Sequence, residues 1–305
     1  MRIFKKCQVF LLVVLMFMST FALAQEVEEQ YNPNSINPIP KYEHLFKRRV
    51  WVDIDLKEKQ NKGFFSQNGE ITRLIIDAVK SGEISTIYKN DSLTSTMTKE
   101  EFFEGMVASE AAELELWDPD FEYYEGDVAE YNGQAYTASE DIEYGVTPGS
   151  DPRWKVNNRA GKADLFFPTQ IQIIRMVEDR IFDKRRSRMY YDIQSFEIIV
   201  PGSQNSLTGL EKSLGVFAYK DLERVFRNHP KEAVWFNRYN TAENKNFADA
   251  FLLRLFHGVL MKVENPDNIF IADNPSYMGD RKQGVMASEW TELQLMEKEH
   301  NLWEY

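Results

Sequence analysis

Residues 171–200 read IQIIRMVEDRIFDKRRSRMYYDIQSFEIIV, and this stretch decides the fold of the chain. Its β-branched and aromatic residues predict two long strands joined by a turn at residues 183–187. Alternation in the first strand is imperfect, so a helix over residues 173–182 stays open as an alternative. The second strand alternates more clearly, and one of its faces is expected to hold Tyr190, Phe196, Ile198 and Val200.

The turn between these strands carries an unusual density of positive charge. Four cations fall within five residues, namely Lys184, Arg185, Arg186 and Arg188. Like charges repel, so we interpret the cluster as a candidate partner-binding surface for an anionic protein face or envelope polymer. The alternative is neutralisation within the hairpin by acidic neighbours, namely Glu178, Asp183 and Asp192.

Outside this hairpin, helices and strands mix without regular β-α alternation. Apolar residues at helical spacing predict helices at residues 70–80, 98–113, 220–228, 247–256 and 287–303, the last of them amphipathic. Shorter strands are predicted at residues 42–55, 85–88, 216–219, 233–236 and 258–263. This order favours an α+β fold with a mixed sheet and packed helices over a doubly wound sheet.

Composition excludes several classes of protein. The 305 residues include 36 Lys and Arg against 48 Asp and Glu, a net charge of −12 that does not suit a nucleic-acid binder. With 43% hydrophobic and 13% aromatic residues, the chain is too rich in core formers to be disordered. A single cysteine, Cys7, allows no internal disulfide.

The N-terminus has the pattern of a secretory signal over residues 1–24. A basic start precedes an apolar run at residues 9–18, and Ala22-Leu23-Ala24 gives the cleavage pattern before Gln25. The run is too short to span a bilayer. We therefore expect an exported mature chain that is not membrane-spanning. Three prolines in residues 25–40 then predict an extended arm, which either lies on a neighbouring subunit or forms a free tail.

Residues 114–158 differ in composition from the chain around them. They hold eleven acidic and only two basic residues, together with eight aromatics. The pair Asn132-Gly133 separates residues 128–131 from 134–138, and this sequence favours a type I′ hairpin turn. We therefore predict a small all-β unit inserted into a core formed by residues 41–113 and 159–305.

The insert resembles the chitin- and cellulose-binding modules of families 5 and 12. The similarity rests on Trp117, Tyr124, Gly126-Asp127-Val128, Tyr131-Asn132-Gly133, Tyr136-Thr137-Ala138, residues 145–150 and Trp154. In those modules an exposed aromatic pair follows the second hairpin strand and stacks on sugar rings. Here residues 139–143 are acidic and hold no aromatic, so Tyr144 is the candidate glycan-binding residue. A structural or protein-contact role is the alternative.

We find no motif that carries catalysis. The chain contains no phosphate-binding glycine loop, HExxH, CxxC or GxSxG sequence. The four histidines lie far apart without a ligand partner at short spacing, namely His44, His229, His257 and His300. We therefore expect no metal, no cofactor and no enzymatic activity.

The chain as a whole resembles the GldN/PorN family of gliding-motility proteins. The similarity rests on residues 39–51, 54–61, 70–78, 97–102, 177–190 and 248–256, with residues 114–158 as a departure. The resemblance implies a periplasmic type IX secretion component that forms a ring with an outer-membrane lipoprotein of GldK/PorK type. The ring would lie beneath an inner-membrane motor of GldL/GldM type. The alternative is a secreted carbohydrate-binding protein that acts through the insert.

Overall fold

The structure is a computed structural model, and it describes residues 31–109, 114–157, 164–205, 207–274 and 281–303. The predicted signal segment (1–24) and the start of the predicted arm (25–30) lie outside these residues. The chain divides into two compact units. We call residues 1–99, 172–199 and 213–305 the sheet unit, and residues 100–171 and 200–212 the second unit.

The described residues form fourteen strands and five α-helices. The strands are β1 (His44–Asp55), β2 (Phe65–Ser66), β3 (Gly69–Glu70), β4 (Ile87–Tyr88), β5 (Thr96–Met97), β6 (Val128–Tyr131), β7 (Gln134–Ala138), β8 (Trp154–Val156), β9 (Ile173–Asp183), β10 (Arg188–Val200), β11 (Lys212–Ala218), β12 (Val234–Trp235), β13 (Lys245–Asn246) and β14 (Val259–Val263). The helices are α1 (Ile71–Ser81), α2 (Lys99–Gly105), α3 (Tyr219–Asn228), α4 (Phe247–Leu252) and α5 (Arg281–Leu302). Together they confirm the predicted α+β class.

A seven-stranded sheet organises the chain in the order β14-β1-β9-β10-β11-β4-β5. Strand β9 pairs antiparallel with β1 on one side and with β10 on the other. Its residues are buried on both faces, which explains the imperfect alternation because neither face meets water. The predicted strands of the hairpin are confirmed, and the helical alternative for residues 173–182 is wrong.

A β-bulge in β10 changes which of its side chains share a face. The register shifts between Ile193 and Ser195, so Gln194 is an extra residue. Tyr190 lies opposite Ile181, whereas Phe196 lies opposite Met176, and positions 181 and 176 of β9 point to opposite faces. The prediction that Tyr190 shares a face with Phe196 is therefore wrong.

An aromatic cluster fixes α3 and α4 on the face of the sheet that carries Phe196. The Phe251 ring centre lies 4.7 Å from that of Phe64 and 4.8 Å from that of Phe196. Tyr219 lies 5.0 Å from Phe196, and Phe226 lies 5.6 Å from Phe247. Tilted and edge-to-face rings of this kind add to the burial energy of the core.

Two predicted helices end earlier than the apolar spacing suggested. Helix α2 ends at Gly105 because the next residues turn into a bridge between Val107 and Leu165. Helix α4 ends at Leu252, where Arg254 takes a left-handed conformation (φ 53°) and the Leu255 amide donates to the Ala250 carbonyl. The last four residues of the predicted helix 98–113 lie outside the described part of the chain.

Within the second unit, strands β6, β7 and β8 form a small antiparallel sheet. Asn132 and Gly133 have φ angles of 52° and 76°, which confirms the type I′ turn. The sheet encloses its own small core of Tyr123, Ala129, Ala138, Ile142 and Trp154. This β unit begins and ends inside the predicted insert.

Candidate interaction surfaces

The predicted cationic cluster lies in the exposed turn between β9 and β10, which we call the basic turn (residues 183–188). The Arg186 guanidinium donates to the Asp183 carboxylate at 2.8 Å, and the Arg185 backbone amide donates to it at 2.8 Å. The Arg185 side chain reaches Glu43 at 3.4 Å. Two of the four cations are therefore partly neutralised by their own chain.

Asp183 is the acidic residue that organises this turn. Burial raises the pKa of its carboxyl, but the Arg186 side chain and the amides of Arg185 and Arg186 outweigh burial, so the pKa lies below its ordinary value. The carboxylate thus stays charged. Of the three acidic neighbours considered from the sequence, Asp183 acts on the turn, whereas Glu178 and Asp192 bond elsewhere.

The other two cations of the basic turn are not neutralised by acidic side chains of the described residues. Lys184 and Arg188 have no ion-pair partner among the described residues, and both are exposed. The Arg188 guanidinium lies 4.5 Å from the centre of the Tyr190 ring, a contact that orients the cation without neutralising it. The basic turn therefore presents two uncompensated positive charges.

Residues 31–40 of the predicted arm contact their own chain. Asn32 donates to Gln194 at 2.6 Å, and Ser35 donates to Asp192 at 2.8 Å. Further along, this segment borders a cavity of about 310 Å³ beside β10, α3 and α4. The bulge residue Gln194 is thus one of the groups that hold the arm.

Asp192 is the most perturbed carboxyl group of this region. Burial raises its pKa to about 6, against the hydrogen bonds from Ser35 and Gln194, which lower it. The neighbouring Asp179 carboxylate adds to the rise, whereas Lys47 opposes it. Asp179 itself is paired with Lys47 and with Arg49 at 2.9 Å and 2.7 Å.

A buried carboxylate on the opposite face of β9 joins three elements. Glu178 is fully buried and accepts from Arg180 at 3.0 Å and from Arg254 at 2.7 Å. Arg180 also donates to Glu292 of α5 at 2.9 Å. The Arg254 guanidinium lies 4.3 Å from the Tyr191 ring. The network ties β9, the end of α4 and α5 together through charged groups.

Helix α5 meets the sheet through both polar and apolar side chains. Ser288 donates to the Leu260 carbonyl, Glu292 pairs with Arg180, and Tyr191 donates to Glu299 at 3.3 Å, while Ala287 and Leu295 are buried. Just after the helix, the Trp303 ring centre lies 6.1 Å from that of Phe182. Away from these contacts α5 carries large apolar side chains that are 53–67% exposed, namely Val285, Met286, Trp290, Leu293 and Met296. We call these five residues the α5 ridge.

Sequence reasoning missed this ridge because it read the helix as simply amphipathic. The available signal was a second apolar stripe, Met286, Trp290 and Leu293, beside the stripe that contains Ala287 and Leu295. A helix that is apolar on two sides buries one of them and exposes the other. Ser288 and Glu292, which lie beside the buried stripe, then bond to the sheet.

Tyr144 lies in the second unit and is 62% exposed. The charge of Glu122, together with a hydrogen bond to it, raises the pKa of the Tyr144 hydroxyl. Tyr124 is 58% exposed and lies close enough to contribute to the same shift. Tyr123 and Trp154 are buried, so these two aromatics serve the core.

Two of the predicted non-ligand histidines bond to carboxylates. His229 lies 2.8 Å from Glu83 and 3.8 Å from Glu232, and His257 lies 2.8 Å from Glu58. Across the described ranges, no group of three His, Cys, Asp or Glu side chains could hold a metal ion. Within the same ranges, none of the helices has the length and apolar character that a membrane crossing requires.

Uncompensated charge on an exposed turn and an apolar ridge on an exposed helix are typical of proteins that work by contact with other macromolecules. The chain matches the family model described as gliding motility associated protein GldN over residues 39–304, and it belongs to that family. Membership associates the chain with gliding motility and type IX secretion, in a family of structural components and not of known enzymes. No curated protein matches the chain.

Proposed function

We propose that this protein is a non-enzymatic periplasmic ring subunit of the type IX secretion system. The observation that carries the proposal is the family match, which spans nearly the whole chain after the predicted arm. The partner would be an outer-membrane lipoprotein of GldK/PorK type, and contact with motor proteins of GldL/GldM type would be indirect. The protein would support secretion and gliding by assembly and not by chemistry.

Export by the signal at residues 1–24, with cleavage near Ala24 and Gln25, would place the mature chain in the periplasm at the inner surface of the outer membrane. Cleavage removes three positive charges, which leaves the mature chain at −15. Such a chain needs local basic surfaces to meet anionic partners. The two uncompensated cations of the basic turn supply one.

Deletion of the gene and complementation with variants tests the proposal. We expect deletion to stop secretion of proteins with C-terminal sorting signals, and the mature chain to co-purify with a ring lipoprotein in very large particles. Lys184→Glu with Arg188→Glu should reduce both. The matched control is Lys57→Glu with Lys59→Glu, which reverses two exposed cations elsewhere in the sheet unit. Normal secretion after deletion, or a monomer in detergent extracts, would contradict the proposal.

A second candidate function is glycan binding by the insert. The observation that favours it is the pair of exposed tyrosines, Tyr124 and Tyr144, which could offer faces for sugar stacking. Retention of the protein on insoluble chitin or peptidoglycan, lost on Tyr144→Ala but not on Tyr239→Ala, would support it. Tyr239 is a suitable control because it is 91% exposed in a loop of the sheet unit. No retention of the wild-type chain would exclude it.

A further inference from the structure

The α5 ridge is large enough to be an interface. Its five side chains run from Val285 to Met296, a length of about 17 Å at 1.5 Å per residue. Each such side chain offers roughly 200 Å² of surface, so exposures of one half to two thirds sum to on the order of 600 Å² of contact area. That is about three quarters of the roughly 800 Å² that each partner contributes to a standard interface.

Two carboxylates give the ridge a charge that selects its partner. Glu289 and Glu297 lie among the apolar residues on the exposed side of α5, and neither has an ion-pair partner in the described part of the chain. Glu292 and Glu299, by contrast, are used on the inward side. The ridge is therefore an apolar surface with two free negative charges.

Pairing of two ridges with each other conflicts with this charge. An antiparallel crossing centred on Leu293 would bring Glu289 of one copy beside Glu297 of the other, at both ends of the contact. Like charges brought together in a desolvated contact oppose association. A lipid surface is a poor match as well, because interfacial helices favour Lys and Arg beside their apolar face.

The basic turn has the properties that the ridge lacks. It carries two uncompensated cations, Lys184 and Arg188, which match the two ridge carboxylates in number and sign. The Lys184 amide donates to the Glu43 carbonyl at 3.0 Å, and Tyr42 and Leu45 lie next to Glu43 in the chain. Those two side chains are 59% and 52% exposed and add apolar surface beside the cations.

We propose that the α5 ridge of one copy docks on the basic turn of a second copy of this chain, with Glu297 facing Lys184 and Glu289 facing Arg188. Each copy would use its ridge on one neighbour and its basic turn on another, so the contact is head-to-tail, and repetition gives a ring when the rotation closes. The proposal rests on the proposed function for its biological role, since it names the contact through which the ring subunits would associate. The contact itself is a property of the purified chain.

Cross-linking tests the proposal directly, because the mature chain contains no cysteine. One preparation carries Glu297→Cys and another carries Lys184→Cys, and the two are mixed and treated with a short bismaleimide. We expect cross-linked dimers in the mixture at least about fivefold above either preparation alone. A Lys57→Cys chain mixed with the Glu297→Cys chain is the control and should give background levels. Equal or greater cross-linking of the Glu297→Cys chain with itself would overturn the proposal.

Charge reversal gives an independent measurement by sedimentation of the mature chain at low salt. Glu289→Lys with Glu297→Lys, and Lys184→Glu with Arg188→Glu, should each weaken self-association about tenfold. Mixing the two variants should restore it, because each reversed surface then meets its opposite. Lys57→Glu with Lys59→Glu should leave association unchanged. Failure of the mixture to recover would overturn the pairing.

The remaining outcomes also decide the matter. A wild-type chain that stays monomeric at tens of micromolar, or a ridge variant that loses binding to zwitterionic vesicles while keeping self-association, would overturn the proposal. A Trp290→Ser variant that no longer co-purifies with the ring lipoprotein but still self-associates like wild type would also overturn it. Secretion after gene deletion is a separate readout: if secretion persists while the cross-link forms, the proposed function fails and the contact stands.

Discussion

Asp192 gives the sharpest quantitative prediction, because the fold buries its carboxyl group against neutral donors. Its pKa is about 6 in the native state, against the ordinary value of 3.8 for an aspartate side chain in water. Between these values the native state binds more protons than the unfolded state, so the free energy of unfolding falls as the pH rises. Integration between pH 5 and pH 7 gives a loss of about 1.3 kcal/mol from this group.

Asp192→Asn removes the titration while keeping the size of the side chain. The Ser35 hydroxyl can still donate to the remaining oxygen, whereas the Gln194 amide then faces another donor. That loss is the same at both pH values, so it cancels in the comparison. We therefore expect the change in unfolding free energy from pH 5 to pH 7 to differ between wild type and variant by about 1.3 kcal/mol.

The assay is urea unfolding followed by tryptophan fluorescence at pH 5 and pH 7. Asp77→Asn is the control, since Asp77 is more than half exposed on α1 and should alter the pH difference by less than about 0.3 kcal/mol. An Asp192→Asn variant with the same pH dependence as wild type would refute the reasoning. It would mean that Asp192 titrates alike in both states.

Other substitutions test the packing. Glu178→Gln should lower the unfolding free energy by about 3 kcal/mol, because it leaves Arg180 and Arg254 without a buried carboxylate. The control is Glu292→Gln, whose side chain is 43% exposed, and it should cost less than about 1 kcal/mol in the same urea titration. Phe251→Ala should cost about 3–5 kcal/mol, measured as a fall in thermal midpoint; a shift like that of a surface variant would contradict the aromatic core. Gly133→Ala, at φ 76°, should cost about 1 kcal/mol, and calorimetry of the variant should show it.

Local chemistry made the hairpins predictable. Asn132-Gly133 sets a type I′ turn through the backbone freedom of those two residues, so no distant contact is needed to specify it. Strand β10 runs over the predicted residues 188–200, because β-branched and aromatic residues favour an extended chain there. Helix α1 follows its apolar spacing and ends at Gly82, whose φ of 80° suits a helix end.

Features that depend on distant partners could not be predicted. The bulge at Gln194 reflects the pairing of β10 with β9, and the residues of β10 alone give no sign of it. Which side of α5 faces the sheet depends on Arg180, which lies more than one hundred positions away and pairs with Glu292. Burial of Asp192 depends likewise on the arm. The candidate cations were found, but which of them are free depended on Glu43 and Asp183.

Strand β1 is synthesised early, but the strands that pair with it are synthesised much later. Arg49 bonds to Asp179, 130 residues further on, and to Glu264, 215 residues further on. Contacts this distant in sequence slow folding, because the loops between them close at an entropic cost before the contacts form. The sheet is therefore complete only after the last strand has been synthesised, while the β6-β7 hairpin can form as soon as its turn is made. Until then the edges of β1 are open to wrong partners, so we expect the chain to need protection from aggregation during its biogenesis.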